Sequence, residues 1–235
     1  MSASDRLQGL FAVLRDLLFP RRAVCAGCGS IFGCDRDDIC DACRHQLAKN
    51  WVGVRPPEKG MLLDGAAFAH RYDSAAAGVV RSFKYSFDWV LADEMGADTA
   101  RAAKLLRINE LDLVTAVPMH PRRMRVRGRN HSEVLARALA RRLEAPYENV
   151  LMRTRNAPQQ ARLSREARRH NLQGGFAAVP ESADKLRGKT ILLVDDVWTT
   201  GSTAASCARA LHDAGAKRIY FVAYAYGERK NHGKD

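Results

Sequence analysis

Residues 191–203 place a strand, two carboxylates and a hydroxyl-rich turn directly before a helix. The stretch begins with the apolar run Ile-Leu-Leu-Val, continues with Asp195 and Asp196, and ends in Thr-Thr-Gly-Ser-Thr. Four consecutive apolar residues are typical of a strand buried on both faces, as in a parallel sheet covered by helices. This order of elements constrains the chain to an α/β fold, in which ligands bind at the carboxyl ends of strands.

The turn after the carboxylates has the composition of a phosphate-binding loop. Its hydroxyl groups add donors to the backbone N–H groups and to the helix N-terminus, and Gly201 lets the backbone approach an anion closely. The carboxylates would repel a phosphate, so they are better suited to accept hydrogen bonds from sugar hydroxyls. The predicted ribose 5-phosphate site consists of Asp195, Asp196, Thr199, Thr200, Gly201, Ser202 and Thr203.

Position by position, this stretch resembles the signature that binds phosphoribosyl pyrophosphate (PRPP) in the type I phosphoribosyltransferases. Single Ser, Thr or Asp residues also cap helices for local reasons, but the whole ordered run is more than capping requires. No Gly-x-Gly-x-x-Gly follows a strand, and no phosphate loop ending in Gly-Lys-Ser/Thr occurs. A Rossmann dinucleotide site and a P-loop ATPase are therefore disfavoured.

The chain of 235 residues carries a net charge of +12 at pH 7, with an isoelectric point near 9.8. Such a charge indicates an anionic partner: nucleic acid, phosphorylated metabolites or an anionic membrane surface. No apolar run is long enough to span a bilayer, and Asp5, Arg6 and Arg15 interrupt the N-terminal segment as a signal peptide. We therefore expect no membrane span and a cytoplasmic location.

The sequence predicts four regions along the chain. Apolar residues at helical spacing predict an amphipathic helix within residues 1–19, which we expect to pack on the protein body, with a membrane surface as the alternative. Residues 20–50 hold five of the six cysteines, and residues 51–62, which contain Pro56, Pro57 and Gly60, are typical of a linker. In residues 63–235, strands alternate with helices, which predicts a mainly parallel sheet covered on both faces.

The predicted elements of this last region are bounded as follows. Strands are expected at residues 65–72, 112–117, 190–194 and 218–225. Helices are expected at residues 75–84, 89–106, 131–143 and 202–213.

Two pairs of cysteines predict a metal-binding module. Each pair, Cys25-x-x-Cys28 and Cys40-x-x-Cys43, has the two-residue gap that lets both thiolates bind one ion, and two pairs complete a tetrahedral sulfur site. A short segment with little core of its own gains stability from a metal. Disulfides are the alternative, but they belong to oxidising compartments, so we expect structural zinc at Cys25, Cys28, Cys40 and Cys43.

Two other cysteines and one histidine lie outside the two cysteine pairs. Cys34, between them, is either a spare thiol or a substitute ligand, and His45 is another candidate for substitution. Cys207 lies within a predicted helix, and we interpret it as a small buried hydrophobic residue.

Arginines cluster in two stretches. Five lie within residues 117–133, after a predicted strand and before a predicted helix, where a second anion site is expected. The guanidinium fork binds two phosphate oxygens at once, so pyrophosphate and a nucleic-acid backbone are both suitable ligands. The second basic stretch covers residues 153–171. The candidates for pyrophosphate or nucleic-acid contacts are Arg122, Arg123, Arg127, Lys84 and Arg168.

Aromatic side chains are scarce in this second stretch, although platforms for single strands usually use them. Binding of nucleic acid there would rest on phosphate contacts. Tyr72, Tyr85 and Trp89 lie elsewhere in the chain, and the sequence is equally consistent with contacts to bases and with ordinary core or surface positions.

Taken together, nearly the whole chain resembles the ComF family, proteins similar to competence protein FC that are associated with natural transformation. Besides the cysteine pairs and the PRPP signature, the resemblance rests on motifs in the same order: Tyr72-Asp73, Phe83-Lys84-Tyr85, Val117-Pro118-x-His120, Arg127-Gly128-x-Asn130, Arg153, Gln160, Leu163, Arg168, Asn171 and Gly175-Phe176. The chain departs from the family pattern at Arg129, His131 and Ala157.

The resemblance implies a type I phosphoribosyltransferase-like parallel sheet flanked by helices, preceded by a small zinc-ribbon-like module. By carry-over, Asp195 and Asp196 would contact the ribose hydroxyls of PRPP, and Thr199 to Thr203 would hold its 5′-phosphate. Arginines after Val117 would face the pyrophosphate, with Mg²⁺ bridging ligand oxygens. The stretch 153–171 falls where a mobile loop closes over such sites.

Three functions are compatible with this pattern. The resemblance favours a protein that binds PRPP and Mg²⁺, handles single-stranded DNA during uptake and natural transformation, and has a competence-machinery protein as partner. The alternative is an active transferase that moves phosphoribosyl to an unknown, nucleobase-like acceptor. The third is a PRPP-sensing scaffold without chemistry. A nucleobase transferase needs a hood with specific base contacts, and the sequence identifies none.

Overall fold

The computed structural model describes four ranges of the chain: residues 24–31, 38–85, 89–154 and 175–227. Four predictions lie wholly or largely outside these ranges: the helix within residues 1–19, the position of Cys34, the loop at residues 153–171 and, within that loop, the position of Arg168. No helix in the described part of the chain is both long and apolar enough to cross a membrane.

Seven strands and seven α-helices follow each other along these ranges. The strands are β1 (Trp51–Arg55), β2 (Gly65–Arg71), β3 (Leu113–Ala116), β4 (Leu151–Arg153), β5 (Phe176–Ala178), β6 (Thr190–Trp198) and β7 (Arg218–Tyr226). The helices are α1 (Asp41–Lys49), α2 (Ser74–Tyr85), α3 (Trp89–Lys104), α4 (Pro121–Arg127), α5 (His131–Leu143), α6 (Ala183–Leu186) and α7 (Ser202–Asp213).

The main sheet has five strands in the order β1-β2-β7-β6-β3. β2, β7, β6 and β3 are parallel, whereas β1 pairs with β2 antiparallel at the edge. A separate antiparallel pair is formed by β4 and β5. The parallel sheet predicted from the alternation of strands and helices is confirmed.

Helices cover this sheet on both faces. Alternate residues of β6 belong to two different apolar cores: Leu192 and Val194 pack with α2, α3 and α5, while Ile191 and Leu193 pack with α7. All four are fully buried. The run of four apolar residues in β6 is therefore explained by a sheet that is covered by helices on both faces.

The strand β6 is longer than the sequence indicates. The prediction ends it at Val194, which is wrong, because β6 pairs with the nine-residue β7 as far as Trp198 opposite Tyr226. Asp195 and Asp196 consequently lie inside the last part of the strand, and the hydroxyl-rich turn starts only at Thr199. The hydrogen bonds between β6 and β7 therefore fix the backbone at Asp195 and Asp196.

The segment 51–62, predicted as a linker, begins with the edge strand β1. Trp51 pairs with His70 of β2, and the guanidinium carbon of Arg101 lies 4.0 Å from the centre of the Trp51 ring. Helix α4 and the β4–β5 pair were not predicted either, because these elements are short and their arginine-rich or mixed sequences lack a clear hydrophobic period.

The cysteine-containing segment packs directly on helix α2. The backbone of Gly27 lies so close to Gly78 that a β-carbon at residue 78 would be 1.8 Å from the Gly27 carbonyl oxygen. The Ser82 hydroxyl donates to the Ala26 carbonyl at 2.9 Å. Cys25, Cys40 and Cys43 also belong to the same apolar core as α2 and α3. The segment and the sheet domain thus share one core.

Candidate functional site

A cavity of about 320 Å³ opens at the carboxyl edge of the parallel strands. Its walls come from the ends of β2, β3 and β6, from the last turn of α2, from α4 and α5, and from β4. The lining residues are Tyr72, Lys84, Val117, Pro118, Met119, His120, Arg123, Arg127, Asn130, Ser132, Arg153, Asp195, Asp196, Val197, Thr199 and Thr203. The cavity lies where a doubly wound sheet binds its ligands.

The two predicted carboxylates have different partners within this cavity. Asp195 Oδ1 accepts hydrogen bonds from the Ser132 hydroxyl at 2.7 Å and from the Asp196 backbone N–H at 2.9 Å. Asp196 Oδ2 forms an ion pair with Lys84 Nζ at 2.7 Å. One carboxylate is therefore oriented by neutral donors and the other is neutralised by a cation.

Burial and the neighbouring charge act together on Asp195. Burial, followed by the negative charge of Asp196, raises the pKa of Asp195 to about 7, although Ser132 and Lys84 oppose this shift. The pKa of His131, the residue before Ser132, shifts in the opposite direction, and burial is again the largest cause. Burial and the charges of Arg129 and Arg127 lower the pKa of His131 to about 4, so its ring is neutral at pH 7.

The hydroxyl-rich turn bends at Gly201 into helix α7. Gly201 has a left-handed backbone with φ 73°, and a β-carbon there would lie 2.5 Å from the Trp198 ring, so only glycine fits. Thr199 and Thr203 line the cavity, whereas Thr200 and Ser202 are joined to each other through their hydroxyls at 2.9 Å. The turn and the carboxylates thus border one cavity.

The structure brings three of the five predicted basic contacts to this cavity. Arg123 and Arg127 reach it from α4, and Lys84 reaches it from the end of α2. The side chains of Arg122 and Arg168 lie outside the described residues.

The cavity residues that sequence reasoning missed as candidate contacts include Ser132, Asn130 and Arg153. Ser132 is 63 positions from its partner Asp195, and no local signal reveals that contact. Asn130 is the N-cap residue of α5, but its side chain does not cap the helix; Nδ2 donates to the Val117 carbonyl instead, at 2.9 Å. Arg153 lines the cavity from β4, and the second basic stretch offered the signal for it.

The four paired cysteines form one cluster. Their sulfur atoms all lie within 4.8 Å of one another, and Cys28 Sγ is 3.8 Å from Cys40 Sγ. A tetrahedral ion with metal–sulfur bonds of about 2.3 Å needs sulfur–sulfur distances of about 3.8 Å, so the cluster has the size for such an ion. Cys25, Cys28, Cys40 and Cys43 make up the cluster without His45.

Backbone donors favour the thiolate form at one of these cysteines. The N–H groups of Gly27 and Cys40 each lie 3.3 Å from Cys25 Sγ. Burial opposes ionisation, yet backbone hydrogen bonds from Cys40, Cys28 and Gly27 lower the pKa of Cys25 to about 6. A thiolate is the form that ligates a metal, so four cysteines at this spacing can hold a metal ion.

The raised pKa of Asp195 predicts a pH-dependent effect of Asp195→Asn. The pKa of Asp195 rises from its ordinary value of 3.8 to about 7 in the folded protein. At pH values between these two, the folded protein therefore holds the carboxyl proton more tightly than the unfolded chain does. The stability contributed by the wild-type group therefore falls as the pH rises through this window. We expect Asp195→Asn to gain stability relative to the wild type from about pH 4 to about pH 8 in thermal unfolding.

The control for this measurement is Asp184→Asn, at an exposed position on α6. Its difference from the wild type should stay constant over the same range. A constant difference for Asp195→Asn as well would contradict the assignment of a raised pKa.

The chain is similar to known proteins over part of its length. Residues 129–235 match the model of the phosphoribosyl transferase domain. The chain is 36% identical over 110 residues to the DNA utilization protein YhgH of Escherichia coli K12, and 32% identical over 109 residues to competence protein F of Haemophilus influenzae. Each match covers 46% of this chain and 46% or 47% of the relative, so it spans about half the length of either protein.

Similar solved structures include two enzymes, each matched over part of its length. The structure of the allosteric regulatory enzyme of purine biosynthesis has a TM-score of 0.43 at 20% identity, covering 61% of this chain and 30% of that one. Glutamine PRPP amidotransferase from B. subtilis has a TM-score of 0.41 at 22% identity, covering 60% and 26%.

The family model covers the cavity wall from α5 onwards, both carboxylates and the hydroxyl-rich turn. The curated relatives and the cysteine cluster bear out the resemblance to the ComF family. Residues 129–235 therefore match a phosphoribosyl transferase domain, and about half of the chain is similar to DNA utilization protein YhgH and competence protein F.

Proposed function

We propose that this protein binds PRPP with Mg²⁺ in the cavity at the end of β6 and handles single-stranded DNA during DNA uptake. The observation that carries the first part is one cavity bordered by two carboxylates, a hydroxyl-rich turn and arginines. These are the three kinds of group that a phosphorylated sugar with a pyrophosphate requires.

Each part of PRPP has a suitable partner in the cavity. Carboxylate oxygens of Asp195 and Asp196 accept hydrogen bonds from the ribose hydroxyls, and the turn at Thr199–Thr203 offers hydroxyls and helix N–H groups to the 5′-phosphate. Arg123 and Arg127 offer guanidinium groups to the pyrophosphate. Mg²⁺ prefers oxygen ligands and is commonly bound through carboxylates and phosphates, so this donor set fits the ion.

Lys84 has two roles in this proposal. Without ligand, its ammonium group neutralises Asp196 at 2.7 Å, which limits the repulsion between the two carboxylates. When ribose hydroxyls donate hydrogen bonds to Asp196, the ammonium group of Lys84 can contact the pyrophosphate instead. The ammonium group then offsets part of the negative charge that the pyrophosphate brings into the cavity.

The part played by DNA rests on the relatives and on charge. The matched relatives are named DNA utilization protein and competence protein F, and a net charge of +12 favours a polyanion. Arg123 and Arg125 are exposed on α4, and Arg153 is exposed on β4. A backbone of phosphates would contact these guanidinium groups without competing for the buried carboxylates. We also propose a competence-machinery protein as the partner and the cytoplasm as the location.

We propose that the ion held by the four cysteines is zinc. Four thiolates in a closed tetrahedral arrangement leave no open position for a substrate, which is typical of a structural rather than a catalytic zinc site. The site would stabilise the packing of residues 25–28 on α2.

The PRPP proposal is tested by calorimetric titration with PRPP and Mg²⁺. We expect saturable binding by the wild type, and loss of binding by more than about tenfold in the double variant Asp195→Asn with Asp196→Asn, because hydrogen bonds to charged groups are lost. DNA binding by the same variant should survive, since its contacts come from arginines. Asp184→Asn is the control that should bind normally.

Absence of binding by the folded wild type would contradict the PRPP proposal. Loss of PRPP and DNA binding together in the double variant would contradict the assignment of the two carboxylates to PRPP alone.

DNA binding should depend steeply on salt. Each phosphate that an arginine neutralises releases counterions and adds roughly 0.7 to the slope of log affinity against log salt for a single strand. We expect Arg123→Gln with Arg125→Gln to reduce this slope in fluorescence anisotropy with a labelled oligonucleotide. A wild-type affinity that stays flat between low and physiological salt would argue against phosphate contacts.

The zinc proposal predicts that Cys43→Ser loses zinc affinity by more than about tenfold, because one of four ligands is removed. Zinc per chain, measured by elemental analysis, should be about one in the wild type and should fall in the variant. Cys207→Ala is the control, since this buried cysteine lies outside the cluster. Equal zinc content in all three proteins would refute the site.

A further inference from the structure

We propose that Tyr72 and Tyr85 form a stacking platform for the bases of single-stranded nucleic acid at the mouth of the cavity. This inference rests on the proposed handling of DNA and deepens it, because it assigns the contact to the faces of the bases and not only to phosphates. It also selects single strands over duplexes, since bases within a duplex stack on each other and present only their edges.

The exposure of the two rings is the first observation. Tyr85 is 75% exposed and Tyr72 is 44% exposed, whereas the other described tyrosines are partly or fully buried. Tyr85 is the last residue of α2, directly after Lys84, whose ammonium group turns into the cavity towards Asp196. Both rings present a large part of their surface to solvent, where a base can reach them.

The second observation is that one ring lines the cavity and the other lies beside an arginine that lines it. Tyr72 is itself a lining residue, and so is Arg127, whose guanidinium carbon lies 5.6 Å from the centre of the Tyr85 ring. The arginine thus connects the exposed ring to the cavity wall. A guanidinium group beside an aromatic ring offers a phosphate contact and a stacking surface together, which is the combination that single strands use.

The third observation concerns the stiffness of the platform. The backbone N–H of Tyr72 donates to the Tyr226 carbonyl of the neighbouring strand at 2.8 Å, so the residue is fixed at the end of the sheet. Tyr85 is held at the end of a twelve-residue helix that is buried along one side. Rings on fixed backbone lose little conformational entropy when a base stacks on them.

Charge completes the match to a nucleic acid. Arg123 and Arg125 of α4 are exposed beside the cavity, on the same helix as Arg127. A purely apolar partner would leave these guanidinium groups without a counterion, whereas a single strand supplies phosphates on one side and bases on the other. The surface therefore fits an oligonucleotide better than it fits an apolar protein segment.

The test compares two oligonucleotides that carry the same number of phosphates. One is a labelled oligothymidylate of twelve nucleotides, and the other is an abasic strand of the same length and charge. We expect the wild type to bind the oligothymidylate about tenfold more tightly, because stacking on an aromatic side chain adds affinity base by base. The double variant Tyr72→Leu with Tyr85→Leu should bind both strands equally, with an unchanged salt slope.

The control is Tyr147→Leu, because Tyr147 is another tyrosine with an arginine over its ring, Arg137 at 4.3 Å, and it does not line the cavity. This variant should retain the wild-type preference for the strand with bases. Thermal unfolding of each variant reports on folding, and Tyr85→Leu alone, at the most exposed tyrosine, carries the test if the double variant is unstable.

The outcomes separate this inference from the proposed function. Equal affinity of the wild type for both strands, with DNA binding intact, would overturn the platform and leave the DNA role standing. Loss of PRPP binding in Tyr85→Leu to the same extent as DNA binding would indicate a distorted cavity and would also overturn the platform, because Tyr85 does not line the cavity. Absence of any DNA binding by the wild type would refute the proposed DNA role itself.

Discussion

The pairing of β6 with β7 over nine residues determines where the chemistry of this protein lies. Because the ladder continues from Thr190 to Trp198, the backbone of Asp195 and Asp196 is held by strand hydrogen bonds and not by a loop. The turn that follows can then reverse sharply at Gly201, against the ring of Trp198. Carboxylates on a strand and donors on a turn thereby border the same cavity, with little freedom in either group.

Placing two carboxylates side by side in a partly buried cavity is electrostatically unfavourable, and the structure compensates for it in two ways. Asp196 is neutralised by Lys84, and Asp195 is held by the Ser132 hydroxyl and one backbone N–H. The pKa of Asp195 nevertheless remains raised, because burial and the second carboxylate outweigh these donors. Such perturbed groups are concentrated at functional sites, and here they coincide with the predicted ribose contacts.

The sequence predicted local elements better than long-range contacts. Helices α5 and α7 have the predicted bounds, 131–143 and 202–213, because hydrophobic period and flanking residues act locally. The end of β6 was missed because the length of a strand depends on its neighbour in the sheet. Ser132 was missed for a related reason, since only the folded sheet brings it to Asp195.

The same distinction applies to the basic residues. Their number and order were readable, and Arg123, Arg127 and Lys84 do line the cavity. The sequence could not show that α2 ends with one side chain turned to a carboxylate and the next exposed. Nor could it show that the cysteine segment packs against this helix, because close backbone contacts between glycines leave no pattern in the sequence.

Helix α2 therefore connects two regions that the sequence treats as separate. Its middle is in contact with the cysteine segment through Gly78 and Ser82, and its last turn carries Lys84 to Asp196. A helix moves as a rigid rod, so a displacement of residues 25–28 would shift the cation that balances the cavity. The spacing of the four sulfurs and the position of the cation beside Asp196 are in this way mechanically linked through one helix, although 56 or more positions separate Cys25–Cys28 from Lys84 along the chain.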